Sequence, residues 1–127
     1  MIDLPLCQAI RETLSPDFPG VFIGVPHEPA SITIPACILN LSGDSVVGGP
    51  LVRGSLEVTV MTSSNEYSTE QHAQLVKDVA EAVRDVVVDS EVVQLYGVVP
   101  TSTKSETDNN HFQTILTFIV GYGPTES

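Results

Sequence analysis

The sequence predicts an α+β domain: a mixed or antiparallel sheet of about four to five strands, one long helix packed on a face, and a short amino-terminal helix. Three observations carry this expectation. In Leu56, Val58 and Val60 apolar side chains alternate with Glu57 and Thr59, the period-2 pattern of a half-buried strand. After a polar stretch over 62–66, Leu75, Val76, Val79, Ala80, Val83, Val86 and Val87 recur at helical spacing, with polar residues between them. Apolar runs on both sides of this strand-to-helix step supply the rest of a sheet for the helix to cover.

In chain order, Leu6, Ala9, Ile10 and Leu14 form the stripe of a helix over 4–14, with Pro5 tolerated in its first turn. The run Ser15-Pro16-Asp17-Phe18-Pro19-Gly20 ends it. A brief strand over 21–25 stops at Pro26, and a longer one covers about 32–41. Pro35 cannot donate to a ladder, which predicts an edge position or a bulge for that strand. Glycines at 43, 48 and 49 and Pro50 delimit a loop over 42–50 before the alternating strand of 51–61. The long helix begins at Ser68 or Thr69, where Ser68 followed by Gln71 fits a capping box and Glu70 suits the positive end of the helix dipole. It extends to about Val87. A further strand covers 92–99, and 100–110 reads as a polar loop. The closing strand over 112–120 is apolar at most positions, so it is expected to be central and covered on both faces.

At 127 residues this is a single domain spanning 1–127. Sixteen acids against five bases give a net charge of −11, and Arg11, Arg53, Lys77, Arg84 and Lys104 make no cluster. Direct binding of nucleic acid is therefore disfavoured. Such acidity confers solubility and repels phosphate. Cys7 and Cys37 each lie in an apolar run, as buried thiols do. No segment has the form of a signal peptide or a membrane span, so a soluble protein that starts in a cytoplasm is expected.

Catalytic and metal-binding patterns are absent from the sequence. His27 beside Glu28 is a short pair in a proline-flanked loop. His72 has Val76, not a ligand, four residues on. His111 follows Asp108-Asn109-Asn110, which lacks the alternating oxygens, glycine and final Glu of a calcium loop. There is no nucleophile elbow, no phosphate-binding loop and no cysteine in an activating context. No catalytic residue, metal or cofactor is expected. Two segments longer than tight turns remain, 42–50 and 100–110. Ser45, Val46 and Val47 in the first, and Ser102, Lys104, Glu106 and Asp108 in the second, are candidate partner contacts. Valines at the tip of a loop favour a partner that covers them, and the second segment could project as an arm.

Two phrases and the element order resemble a known family. One phrase is Ile34-Pro35-Ala36-Cys37-Ile38-Leu39-Asn40-Leu41-Ser42-Gly43, a strand with a Pro-Ala step that ends in a polar turn. The other is the closing strand, Phe112-Gln113-Thr114-Ile115-Leu116-Thr117-Phe118-Ile119-Val120-Gly121-Tyr122, which ends on an aromatic residue. With the strand-to-helix step between them, the chain resembles the tail terminator (tail completion) proteins of long-tailed phages, lambda-type, as a pattern of elements from about residue 4 to 122. The resemblance implies a structural virion protein, assembled in the host cytoplasm and located at the head-proximal end of the tail. It would form a homohexameric ring that caps the tail tube, ends its polymerisation and docks the head-completion or neck protein, while DNA passes without specific binding. No catalytic residue is carried over. Another head-tail connector, a small adaptor, or a hydrolase using His27, His72 or His111 are the alternatives. Independently of the resemblance, an edge strand over 32–41 could pair or pack with a neighbouring copy, and head-to-tail packing that closes makes a ring.

Overall fold

A computed structural model describes residues 3–24, 34–48, 51–88, 90–107 and 110–124, of which 3, 4 and 43–48 are described by backbone alone. The elements follow the expected order: helix α1 (Asp3–Leu14), strands β1 (Phe22–Gly24), β2 (Ala36–Gly48) and β3 (Leu51–Ser63), helix α2 (Thr69–Arg84), then strands β4 (Val93–Thr107) and β5 (His111–Pro124). A 3₁₀ turn at Ser15–Asp17 follows α1, where Pro16 stops the helix. The five strands form one mixed sheet in the order β1-β2-β3-β5-β4. β1 pairs parallel to β2, and every other contact is antiparallel.

Both helices lie on one face of this sheet. Leu6 and Ile10 of α1 and Val79 and Val83 of α2 join Leu39, Val58, Leu116 and Phe118 in one buried cluster. The cross-strand pairs Leu39↔Val58, Val58↔Leu116 and Leu56↔Phe118 carry this inward face across three strands. Cys7 and Cys37 are buried thiols, and burial alone pushes the Cys37 thiol up to about 12. The start of α2 is fixed as expected: the Ser68 hydroxyl accepts the Gln71 N–H at 3.1 Å, and the Gln71 side chain accepts the Ser68 N–H at 2.8 Å. The helix stops at Arg84, short of Val87. The Asp85 N–H closes the last turn onto the Glu81 carbonyl, and the β-branched run Val86-Val87-Val88 that follows is a poor helix former.

Four expectations about strands change. The segment 42–50 is not a loop down to Gly48: β2 continues, pairing Gly43 with Gly54, Ser45 with Arg53 and Val46 with Val52. Register shifts after Gly43 and Val46 let β2 stay paired through a stretch with no regular alternation. Likewise 100–107 is not an arm. It is the second half of β4, paired from Ser102↔Thr117 to Thr107↔Phe112, so backbone pairing with β5 orders a segment whose one apolar side chain is Pro100. Pro35 precedes β2, where its carbonyl accepts the Phe22 N–H at 2.9 Å, and β2 lies between β1 and β3 at Ala36–Ile38. Beyond Ile38, no described strand pairs with that side of β2, so the expected edge exists but lies further along. Finally, β5 is interior, but the described elements cover one face of it only. Thr114, Leu116, Phe118, Val120 and Tyr122 are buried, while Gln113, Ile115, Thr117 and Ile119 between them are half-exposed.

Candidate functional site

The half-exposed side of β5 belongs to a sheet face against which no described element packs. Its composition follows from the register. Across β2, β3, β5 and β4 the rows are Ile38–Thr59–Ile115–Lys104, Asn40–Glu57–Thr117–Ser102 and Ser42–Ser55–Ile119–Val99. Side chains alternate across a strand, so each row stands on the face opposite the helices. The candidate contacts Ser102, Lys104 and Glu106 therefore come together on this face, exposed along one margin. Lys104 Nζ lies 3.3 Å from Glu106 Oε1, an exposed ion pair of small energetic weight.

This face is electrically balanced. Among the residues whose side chains are described, Arg53 and Lys104 stand against Glu57 and Glu106 on it, two bases and two acids, in a chain whose net charge is −11. A group of carboxylates lies on the helix side. Asp17, Asp78, Glu81 and Asp85 line an open cleft of about 630 Å³ between the end of α1 and α2. The Asp85 carboxylate there is held below the usual carboxylate range by hydrogen bonds from Arg84, at 3.0 and 2.9 Å.

The remaining candidate contacts do not join this group. Ser45 and Val46 lie level with Arg53 and Val52, and Val47 lies in the register shift beside them. Thr107 lies level with Phe112, which pairs with Thr62. Ten residues of β3 separate the two levels, about 33 Å of strand, so the two hairpin turns leave opposite ends of the sheet. Asp108 falls outside the described residues, as do His27 and Glu28.

A buried polar cluster went unread in the sequence. His72, on the inward stripe of α2, is 7% exposed, and its Nδ1 is 2.7 Å from Thr62 Oγ1 on β3. Its Nε2 is 2.9 Å from Thr114 Oγ1 on β5, which is itself 3.1 Å from Ser105 Oγ on β4. A threonine hydroxyl both donates and accepts, so either ring tautomer is satisfied. Burial lowers the imidazole pKa below its ordinary 6.5. The ring also packs on Phe112, centroids 5.4 Å apart. These groups hold α2 to three strands. The sequence signal was present: Thr62, His72 and Thr114 all fall at inward positions where the pattern otherwise supplies apolar residues. His111 begins β5, level with Ser63. Among the described residues, no three His, Cys, Asp or Glu side chains come together as a metal ion would require.

No family model and no curated protein matches this chain. Its fold recurs among solved structures, where 22 chains match. One of them is similar over 96% of this chain and 94% of that chain, with 16% identity and a TM-score of 0.59. That likeness is one of fold. No helix among the described residues is long and apolar enough to cross a membrane.

Proposed function

We propose that this chain is a structural subunit of a phage tail, a terminator that forms a ring on the tail tube, ends tube growth and offers a docking surface to the head-completion or neck protein. The observation that carries this reading is the open sheet face: it spans four strands, is uncharged on balance, and lies in a chain otherwise rich in carboxylates. A face of Ser, Thr and Ile side chains supports packing against flat protein surfaces, whereas small-molecule sites are concave. The element order and the strand-to-helix step of β3 and α2 support the resemblance on which the reading began. The surplus of negative charge supports a channel through which DNA moves without being held.

The experiment is light scattering on a size-exclusion column, with negative-stain images of each peak and a parallel assay of tube growth. A closed particle of about 80 kDa, six copies of 13.6 kDa, that stops the growth of purified tail tubes is expected. A monomer that neither binds nor terminates tubes would overturn the reading.

A further inference from the structure

Among the described residues three strands have an open side: the end strands β1, only three residues long, and β4, and β2 beyond the residues that β1 covers. β4 is last in the strand order, so all of Val93–Thr107 presents a row of backbone N–H and C=O groups with no described strand beside it. β2 is flanked by β1 only at Ala36, Cys37 and Ile38. From 39 to 48, its side away from β3 has no described strand either. The two rows run in opposite directions, because three successive antiparallel contacts, β2 to β3, β3 to β5 and β5 to β4, separate them. When two copies stand side by side in the same orientation, β4 of one is therefore antiparallel to β2 of the other, and the sheet can continue across the boundary. Open edges are templates for this kind of addition.

We propose that a second copy of this chain occupies each edge, β4 of one subunit pairing with residues 39–48 of β2 in the next. The inference rests on the ring reading above and assigns the surface that closes the ring. The contact joins two different surfaces, so it is head-to-tail and generates a closed ring when the rotation per copy divides the circle. Few charges oppose a contact along these edges. Residues 39–48 carry one charged residue, Asp44, and in β4 Lys104 is already paired with Glu106. Two subunits of net charge −11 thus meet along strands that bring one unpaired acid and one internal ion pair to the boundary. Pro100 and two register shifts interrupt β4, and two shifts interrupt β2. The contact is made of short stretches, unlike the long flat edges that grow fibres.

A pair of complementary variants tests this. Asn40→Lys with Ser42→Lys places cations on the β2 edge, and Val99→Lys with Ser102→Lys does so on the β4 edge; all four positions are exposed. Each variant alone is expected to run as a monomer where the parent chain forms rings. Mixed one to one, they keep a single competent contact and should stop at a dimer of about 27 kDa, twice 13.6 kDa. Thr59→Lys with Thr117→Lys, in the middle of the open face, should leave the ring intact. Rings that persist in both edge variants, or that fail only in the face variant, overturn the edge assignment and leave the ring reading standing. A parent chain that forms no ring, with or without tubes, removes both. Should circular dichroism show an edge variant unfolded, hydrogen exchange on the parent chain decides. Amides of 39–48 and Val93–Thr107 are expected to slow at least tenfold on assembly, and unchanged rates there overturn the proposal.

Discussion

Thr62, His72 and Thr114 show how single polar residues set the arrangement of helix on sheet. All three sit where an apolar side chain would pack, and their hydrogen bonds offset the cost of burying them. Thr62→Val removes the partner of His72 Nδ1 and leaves a buried ring nitrogen unsatisfied. A loss of about 1–3 kcal/mol in urea unfolding is expected. The ring also makes stability depend on pH. Its pKa in the folded chain lies below the unfolded value of 6.5, so the unfolded chain takes up this proton first. The contribution is complete above that value and is lost as pH falls through the window beneath it. The parent chain should therefore lose more stability than His72→Gln between about pH 7 and about pH 5; equal slopes would mean that the imidazole does not titrate differently on folding. Gly54 answers to a different constraint, close approach. A Cβ there would lie 2.9 Å from the Ser42 carbonyl oxygen and 3.1 Å from Tyr122 Cε1, so backbone would have to move. Gly54→Ala is expected to cost about 1–3 kcal/mol by chemical denaturation.

At the scale of elements, the capping box of α2 is the clearest case of a local signal that decides a boundary. Ser68→Ala removes one acceptor from the first turn and should lower stability by about 1 kcal/mol, read as a fall in the unfolding midpoint. That start was legible in the sequence because its cause is local, as were the stripe of α1 and the alternation of β3. What was not legible has non-local causes. The second half of β4 has no apolar period, and only its pairing with β5 makes it a strand. Residues 43–48 are held by Leu51–Gly54 across a hairpin whose glycines read as a loop. The candidate contacts were placed on two loops; three of them, Ser102, Lys104 and Glu106, turn out to share one sheet face, which requires a register that composition does not carry. The mechanical consequence is that excising 102–109 would not trim a loop. It would remove residues 102–107 of β4 and uncover β5 from Phe112 to Thr117, so it separates docking from folding less well than point substitutions on the exposed margin.

For the whole molecule, the distribution of charge sets the conditions of assembly. In the proposed ring, six copies at −11 each would bring 6 × −11, or −66, into one particle. Repulsion between subunits of like charge is screened by salt, with a screening length of about 10 Å at 0.1 M. The proposed edge contact contains backbone hydrogen bonds, hydroxyls, the single acid Asp44 and an ion pair internal to one subunit, so no pair of opposite charges across the boundary is assigned for screening to weaken. Raising sodium chloride from about 0.1 M to about 1 M shortens the screening length to about 3 Å and should increase the fraction of chain in rings at fixed protein concentration. Chloride is the appropriate anion, since sulfate strengthens apolar burial by itself. Light scattering across the series provides the measurement. A ring fraction that falls with salt would place opposite charges across the subunit boundary, and these edges would then not be the surfaces that meet.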